Sequence, residues 1–500
     1  MYFSFETIPA FVWAFVTTYV IYWIKNLRIS RNEPPMVPYK FPIIGHTLDY
    51  LFNADKFLAE CRQKYGDPFN LYVFGQVTTI AGNEIAHEIF RTDTFSMTSA
   101  TRDTFPLYLI IKSLDDPETI ERMIKTIREG ITTKLSLYTG RMQKQLMIAI
   151  NKEIGDCSDP KLVITAKENF SRMVSRPVTD VLVGQEMSKN EDVIKAFADF
   201  TKDFTAIVGL PPILSFIHPK VHSHVITLPL RFGWNPIAKH IITVKKNLKP
   251  VLEKRLKDKK ILGDKYEPPL DIIEYLMNKP EYETKVITDD YLNEICELIF
   301  IIVVASIHTT SRHLTSALYD FAGRPELWDD IYEEQVRIDK ECNGELTSQH
   351  INKMVKLDSF LRESLRTFDA VTAVPHRCLE TFTLKNGMTI PKGRIVQTSL
   401  MDIHYNTTAY GPEPRSFLPY HGLENNFSAS RTDKNYFIFG SGRHACPGRF
   451  FAVNEIKICM HKIILNYHIK TPSGKIEKKV QVGPFVSPPV AGLIFENRKK

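Results

Sequence analysis

Residues 437–452 read FIFGSGRHACPGRFFA, and Cys446 is the residue around which the fold can be predicted. Pro447 follows this cysteine, and proline is favoured in the first turn of a helix. An apolar-periodic run from Arg449 to about Tyr467 predicts that helix. Cys446 therefore stands at a helix amino terminus, where free backbone N–H groups and the helix dipole favour a thiolate.

The residues around Cys446 leave room for a large, flat ligand. Three glycines remove side chains from the loop, so that a ligand can approach the backbone. These are Gly440, Gly442 and Gly448. Arg443 and His444 add cationic donors that suit carboxylates, and Phe439 adds an aromatic ring. A thiolate in such a loop suits an axial haem ligand with the propionates nearby, whereas the alternative is a buried structural cysteine beside a glycine-rich turn.

The stretch resembles the haem-binding signature of the cytochrome P450 family. The matching residues are Phe439, Gly440, Gly442, His444, Cys446 and Gly448. The resemblance implies that Cys446 is the proximal iron ligand of a haem b. It also implies that His444, which stands where the family has a basic residue, bonds a propionate. The expected fold is that of the family, mainly α-helical with small β-sheets.

A second motif lies in LRESLRTF. Glu363 and Arg366 are three residues apart and share one face of a helix. An exposed pair of this kind is usually a solvated contact worth a few tenths of a kcal/mol. In its place in the chain, however, the pair resembles the family's Glu-x-x-Arg motif. The resemblance implies a third member in GPEPRSFLPYH, which gives a Glu363–Arg366–His421 triad that locks the core beneath the haem, with Arg415 as the poorer candidate.

The apolar run Leu298–Ile307 is too short to span a membrane and suits a buried helix, which Thr288 would start. This segment resembles the long central helix of the family, with Ala305 at a small-residue position. The resemblance implies that Thr309 is the oxygen-activation threonine, whose hydroxyl relays protons. His308 replaces the family's acid and can still pass protons near neutral pH. A core histidine satisfied by a backbone carbonyl is an equally weighted alternative, and the string HTTS resembles a subset of fungal members.

One family feature is missing from the sequence. Many members have Trp-x-x-x-Arg on an early helix that contacts a propionate, but the four tryptophans of this chain stand elsewhere. Lys125 or Arg128 in ERMIKTIREG is the expected replacement for that arginine.

The amino terminus predicts a membrane anchor. From Thr7 to Ile24 the chain carries no charge, and this length is close to the lower limit for a transmembrane helix. Lys25, Arg28 and Arg31 follow, which favours a cytosolic location for the remainder. The alternative is a cleaved signal peptide. Against it, no basic residue precedes the run and no small-x-small cleavage site follows it.

Three segments are expected from this order. Residues 1–25 form the anchor, 26–46 a basic and proline-rich hinge, and 47–500 one haem-thiolate domain, since no linker divides the body. The order resembles that of microsomal members, which implies a single-pass protein of the endoplasmic reticulum membrane with its catalytic domain in the cytosol. Within the domain, Phe69–Ala81 predicts strands, Asn386-Gly387 predicts a hairpin, and the last stretch looks like strands and turns.

The composition excludes several other classes of protein. With 43% hydrophobic and 24% charged residues, the 500-residue chain is neither disordered nor fibrous. Its seven cysteines contain no CxxC pair, so a disulfide scaffold or a zinc site is not expected. The net charge of +7 is modest, and it suits an acidic protein partner or an anionic membrane rather than nucleic acid.

The predicted activity is that of a monooxygenase that inserts one atom of O2 into a lipophilic substrate, with a steroid or terpenoid favoured. The chain shows no flavin or nicotinamide fingerprint, so electrons are expected from NADPH through cytochrome P450 reductase, with cytochrome b5 as a second candidate donor. Basic residues near the cysteine are candidates to receive the reductase. These are Arg443, Arg449 and Lys457. The alternatives are a haem-thiolate isomerase or dehydratase, a fatty-acid hydroxylase, and a haem-binding sensor.

The resemblance implies apolar pocket walls near residues 98–112, 200–215, 301–309, 370–375 and 484–488. The side chains expected there are Thr104, Phe105, Phe204, Ile302, Val374 and Phe485. Such a pocket suits a steroid, a terpenoid or a fatty acyl chain without choosing among them.

Overall fold

The structure is a computed structural model. It describes residues 12–14, 16–17, 19–20, 24, 29–41, 43–104, 108, 110–116, 118–208, 213–216, 219–235, 237–368 and 371–499.

Within these ranges, ten helices of nine residues or more build the body. They are α1 Ala54–Tyr65, α2 Glu118–Thr126, α3 Leu135–Glu153, α4 Ala166–Val183, α5 Glu191–Val208, α6 Ala238–Leu262, α7 Asp289–Ala322, α8 Trp328–Glu341, α9 Val355–Arg366 and α10 Arg449–Asn466. Shorter α-helices connect them. These are Thr47–Phe52, Asn83–Ile89, Met97–Thr104, Pro219–Ile226, Leu228–Arg231, Ile272–Met277, Ser348–Asn352, Leu400–His404, Thr407–Tyr410 and His421–Glu424.

Short strands form four small sheets in the described chain. They are β1 Phe69–Val73, β2 Gln76–Ala81, β3 Phe95–Ser96, β4 Lys161–Val163, β5 His376–Cys378, β6 Phe382–Thr383, β7 Thr389–Ile390, β8 Ile395–Thr398, β9 Tyr467–Lys470, β10 Val480–Val482, β11 Phe485–Ser487 and β12 Leu493–Asn497. The largest sheet has the order β1-β2-β8-β5-β3, and the others are β4-β12-β9, β6-β7 and β10-β11. The mainly α-helical fold with small sheets is therefore confirmed.

The predicted local signals correspond to real elements. The strand-like patch Phe69–Ala81 folds as the antiparallel pair β1 and β2. Gly387, with a φ of +84°, turns the chain between β6 and β7, which is a backbone angle that favours glycine. The Thr288 side chain accepts a hydrogen bond from the Tyr291 N–H at 3.2 Å and caps the start of α7.

Helix α7 runs through the centre of the molecule. It is the one described helix whose length and mean hydropathy of 1.7 would allow it to cross a membrane, but 56% of its most apolar window is buried inside the protein. It packs against α4 on one side and α10 on another. Helix α7 is therefore the core helix that the run Leu298–Ile307 predicted. The predicted anchor Thr7–Ile24 lies mostly outside the described residues, and those of its residues that are described are helical.

The proline-rich segment is bonded to the body from Asn32 onward. The Thr389 N–H donates to the Asn32 carbonyl at 2.7 Å, and the Arg394 guanidinium donates to the Glu33 carboxylate at 2.6 Å. The Asn70 backbone N–H donates to the Pro35 carbonyl at 2.8 Å, and its side-chain amide donates to the Pro34 carbonyl at 2.6 Å. Any swivel between an anchor and the body would therefore lie before Asn32.

Candidate functional site

The loop that carries Cys446 is fixed by its own backbone. The Cys446 N–H donates to the Phe439 carbonyl at 2.7 Å, and the Gly440 N–H donates to the Phe437 carbonyl at 2.9 Å. Gly440 has a φ of +69°, and a Cβ at this position would lie 2.8 Å from the His444 carbonyl oxygen. A side chain is therefore excluded at Gly440 both by backbone angle and by space.

Cys446 is the exposed member of the seven free cysteines, and the other six are buried. Burial of the surrounding loop raises the pKa of the Cys446 thiol. The backbone N–H groups of Gly448 and Arg449 and the Arg449 charge act in the opposite direction. Three groups that favour a thiolate thus point at an accessible sulfur, and a bound metal cation would complete its deprotonation.

Space lies open beside the sulfur. A Cβ at Gly448 would meet no atom within 4 Å, whereas one at Gly442, which has a φ of +57°, would lie 2.8 Å from the Phe90 carbonyl oxygen. Phe439 is half-buried and packs against the main hydrophobic core. The loop therefore packs closely against protein at Gly442 and has open space at Gly448. A flat ligand over the sulfur requires such space.

Helix α7 presents an irregular turn to the interior. Residues Val304–His308 form a π-helical turn, which is rare and frequent at functional sites. Ala305 and Thr309 are exposed, although Ile307 and Thr310 beside them are buried. The Thr309 hydroxyl donates to the Ala305 carbonyl at 2.7 Å. Small and hydroxyl-bearing side chains thus border open space in the middle of a core helix.

His308 lies on a different face of the same turn. Burial, and then the nearby charges of Arg312 and Lys167, lower its pKa to about 4. No described residue forms a hydrogen bond with its ring, so the carbonyl partner expected for a satisfied core histidine is not found. The His308 imidazole is neutral at neutral pH.

His444 and a second histidine form a pair at one edge of the site. His444 Nε2 bonds the Thr92 carbonyl at 3.0 Å, which leaves its other ring nitrogen for a ligand. The His376 ring lies 5.5 Å from the His444 ring. Burial, followed by the His444 charge, lowers the pKa of His376 to about 4. Sequence reasoning missed His376, whose only signal was its position in PHR at the start of β5.

The two candidates for the missing arginine differ in position. Arg128 is exposed, and its charge lowers the pKa of Arg449, so it lies near the start of α10 beside the Cys446 loop. The charge of Lys125 acts instead on Glu129. Arg128 is therefore the better-placed replacement.

Glu363 and Arg366 form a buried ion pair at the end of α9. Arg366 donates to both carboxylate oxygens of Glu363, at 2.5 and 2.8 Å. It also donates to the backbone carbonyls of His404, Pro414 and Ser416, at 2.6 to 2.9 Å. The side chain is 1% exposed, so this is not the solvated contact that spacing alone would allow.

The prediction that His421 completes a triad is wrong. His421 Nε2 bonds the Ala409 carbonyl at 3.2 Å, and its ring reaches the ion pair only through Tyr410, whose ring packs 4.9 Å away. The poorer candidate, Arg415, pairs with Asp55 at 2.9 Å. Backbone carbonyls fill the role assigned to the third side chain.

One of the predicted docking residues is also misplaced. Lys457 is 4% exposed and its ammonium donates to the Asp358 carboxylate at 2.9 Å, so it cannot receive a partner protein. Arg443 is exposed and pairs with Asp93 at 2.5 Å, and Arg449 is half-buried.

The predicted pocket walls are divided between core and surface. Phe204 and Ile302 are buried in the main core, whereas Val374 and Phe485 are 51% and 65% exposed. Phe105 and the side chain of Thr104 lie outside the described residues, as do parts of the predicted wall segments.

The residues at the site fit a haem. An accessible thiol is surrounded by donors, open space begins at Gly448, and His444 offers a free ring nitrogen where a propionate would lie. Ala305 has no side chain beyond Cβ to obstruct a flat ring, and Thr309 is exposed on the same turn.

Comparison with known proteins agrees with this assignment. The cytochrome P450 family model matches residues 34–494. Cytochrome P450 monooxygenase 110 of Postia placenta is 28% identical, with 97% of this chain and 96% of the relative covered. Cytochrome P450 monooxygenase paxP of Penicillium paxilli is 27% identical, with 75% and 72% covered.

The fold has a solved counterpart as well. Retinoic acid bound cyanobacterial CYP120A1 superimposes with a TM-score of 0.68 at 19% identity, covering 94% of this chain and all of that one. This likeness concerns the fold, while the family match spans nearly the whole sequence. The chain therefore belongs to the cytochrome P450 family, whose members are oxidoreductases that bind haem iron and use electrons from NADPH delivered by a reductase.

Proposed function

We propose that this protein is a membrane-anchored monooxygenase that inserts one oxygen atom from O2 into a lipophilic substrate, with a steroid or terpenoid favoured. The observation that carries the proposal is the exposed pair Ala305 and Thr309 on the π-helical turn of a buried helix. An isomerase or dehydratase has less use for a hydroxyl that can relay protons at this position.

Each residue of the site has one task in this proposal. When bound, a thiolate-ligated haem supplies dioxygen activation and O–O cleavage. Cys446 would supply the thiolate, which the N–H groups of Gly448 and Arg449 favour. His444 and Arg128 hold the propionates.

Thr309 moves the proton. Its hydroxyl donates to the Ala305 carbonyl, and a rotation about χ1 redirects that O–H toward the open space beside the turn. His308 brings protons to Thr309 from solvent. As a neutral imidazole it accepts at one nitrogen and donates from the other, so it does not need to be a cation beforehand.

Thr309→Ala tests this assignment. Loss of a positioned proton donor typically costs about 10²–10⁴-fold in rate. We expect the variant to keep its spectrum and substrate binding, to lose product, and to release the consumed NADPH equivalents as hydrogen peroxide. His308→Phe should show the same loss of coupling with an altered pH profile. Normal coupling and a normal pH profile in His308→Phe would defeat the shuttle and leave a structural histidine.

The reaction class and the substrate class need separate measurements. NADPH consumption with cytochrome P450 reductase distinguishes a monooxygenase from an isomerase or a haem sensor, since only the first couples consumption to product. A screen of steroids, terpenoids and fatty acids by shift of the haem Soret band then selects the substrate class. A response confined to fatty acids would contradict the steroid or terpenoid assignment.

The reductase docks on the side of the Cys446 loop in this proposal. Arg443 is 70% exposed and stands in that loop, so it can meet an acidic partner. Arg443→Glu should therefore raise the reductase concentration needed for half-maximal turnover, most strongly at low salt. Lys434→Glu, an exposed change outside the loop, is the matched control. An equal effect of both variants would remove Arg443 from the interface.

The proposed location is the endoplasmic reticulum membrane, crossed once, with the catalytic domain in the cytosol. Support comes from Phe232 and Trp234, which are 82% and 69% exposed just before the lysine-rich helix α6. The Tyr19 hydroxyl also donates to the Phe216 carbonyl at 2.8 Å, which holds the amino-terminal segment close to that region. An apolar edge beside basic residues suits a membrane surface.

The presence or absence of N-linked glycan tests on which side of the membrane the catalytic domain lies. Three sequons occur in the body, at Asn169, Asn406 and Asn426. None should carry glycan in a eukaryotic membrane fraction, because glycosylation takes place on the lumenal side. A mass shift after glycosidase treatment would reverse the orientation argued from Lys25, Arg28 and Arg31.

A further inference from the structure

Arg312 differs from the fully buried arginines of the described chain. In the described chain, six arginines are buried, and each of them holds a carboxylate. They are Arg176, Arg255, Arg324, Arg362, Arg366 and Arg394. Arg312 is half-buried on α7, and no described carboxylate pairs with it. Its Nε is fully buried and has no hydrogen-bond partner.

The surroundings of Arg312 add positive charge rather than cancel it. Lys167 of α4 lies close enough for its charge and that of Arg312 each to disfavour protonation of His308. Lys479 stands beyond Phe368 and donates to the Thr367 carbonyl at 2.6 Å. His313 also packs against Phe368, but burial, and then the Arg312 charge, lower its pKa to about 3, so it is neutral and adds no charge.

Among the residues that the structure describes, few acids lie near this cluster. Glu168 follows Lys167 and interacts with it, and Asp320 lies 3.8 Å from Lys479. Neither contacts Arg312. The guanidinium carbon lies 4.6 Å from the centre of the Phe368 ring, so one face of the group is covered while its edge keeps its donors.

The charge of Arg312 persists in this position. Burial lowers its pKa to about 10, which still leaves it protonated at neutral pH. A cation removed from water without a partner costs free energy, and structures normally supply the partner. No described residue supplies that partner to the buried Nε of Arg312.

We propose that the cationic cluster of Arg312 and Lys167 beside His308, where α4 packs against α7, binds an oxyanion. The shared chemistry is a carboxylate or a phosphate, supplied either as a free ion from solution or as the acid group of a substrate. A planar guanidinium edge takes two oxygens of such a group, and the Lys167 ammonium adds a third donor.

The anion would change the state of His308. It cancels the positive charges that now disfavour protonation, so the pKa of His308 moves up toward its ordinary value. The histidine one residue before Thr309 then carries a proton over a wider range of pH. The site would thus act as an external replacement for the acid that this chain lacks at position 308.

Thermal unfolding of the full-length holoprotein in inorganic phosphate, at constant ionic strength, tests for a free ion. We expect saturating phosphate to raise the unfolding temperature by on the order of 1–3 °C. Arg312→Gln and Lys167→Gln should lose this rise. Lys144→Gln removes one exposed charge on α3 and should keep it. Since Lys167 is exposed, its variant is expected to fold even if Arg312→Gln does not.

A second titration identifies the source of the anion. The binding of dodecanoic acid and of its methyl ester is compared by the shift of the Soret band. If the anion is the acid group of a substrate, the acid should bind at least ~10-fold more tightly than the ester. This preference should be lost in Lys167→Gln and Arg312→Gln. A phosphate response without acid preference points to a free ion. An equal phosphate response in wild type and both variants, together with no acid preference, overturns the proposal. Neither readout requires turnover, so a failed monooxygenase assay would leave this result intact.

Discussion

Replacing Arg366 with methionine should remove the stability of the domain almost entirely. The side chain is 1% exposed and donates five hydrogen bonds, two of them to Glu363. Arg366→Met leaves the buried Glu363 carboxylate without its counter-charge, which costs about 3–5 kcal/mol. It also leaves the buried His404 carbonyl unpaired, at about 1–3 kcal/mol, and it removes the donor from the part-buried carbonyls of Pro414 and Ser416. Even with partial overlap, the sum is comparable to a total stability of about 5–15 kcal/mol.

The assay is urea unfolding followed by circular dichroism, with haem content measured on the same samples. We expect Arg366→Met to yield little haem-bearing protein. Adding Glu363→Gln should restore part of the lost stability, because the unpaired charge is then gone. Arg337→Met is the matched control, since Arg337 pairs with Glu341 at 3.4 Å on an exposed face of α8 and should cost less than about 1 kcal/mol. Equal unfolding midpoints for the two single variants would refute the reasoning.

Three further outcomes follow from the site and its supports. Cys446→Ser should lose the long-wavelength Soret band of the reduced carbon monoxide complex, and a variant that keeps this band would show that Cys446 is not the axial ligand. His421→Ala should cost about 1 kcal/mol in urea unfolding, since it loses a single bond to a carbonyl rather than a place in the buried ion pair. His404→Gln should flatten the loss of stability in acid. Burial, and then the Arg366 charge, lower the pKa of His404 to about 3 in the folded protein. Below pH ~6.5, His404 therefore binds a proton in the unfolded chain but not in the folded one. The free energy of unfolding of the wild type then falls by about 1.4 kcal/mol for each pH unit. Unfolding midpoints that change equally with pH in both proteins would exclude His404 as the cause.

Side-chain motifs were predictable from the sequence, whereas backbone partners were not. Cys446 stands among glycines and before Pro447, and Glu363 and Arg366 are one helical turn apart, so local chemistry indicates a role for each. His421 was a wrong prediction because Arg366 uses the carbonyls of residues such as Pro414 and Ser416, and a carbonyl is present at every position of any sequence. No residue type marks which carbonyl the fold will bring to that guanidinium.

Long-range packing accounts for the other differences. Lys457 was expected on the surface, but α10 is buried around most of its circumference. Because this helix has no continuous exposed face, helical periodicity could not show which of its residues reach solvent. His376 approaches His444 because strand β5 pairs with β3, which brings together segments about 280 residues apart in the chain. The cationic cluster at Arg312 likewise arises from the packing of α4 against α7.

The bonds of the proline-rich segment determine where the chain can be shortened. Met36 bridges Asn70 in parallel, so residues 34–37 cover the outer edge of β1, the last strand on its side of the five-stranded sheet. A soluble version that starts at Arg31 keeps this cover and the contact between Glu33 and Arg394. One that starts at Thr47 would uncover a row of unpaired strand groups and leave the Arg394 charge without its carboxylate. The longer version should remain monomeric, whereas the shorter one should associate edge to edge and precipitate during purification.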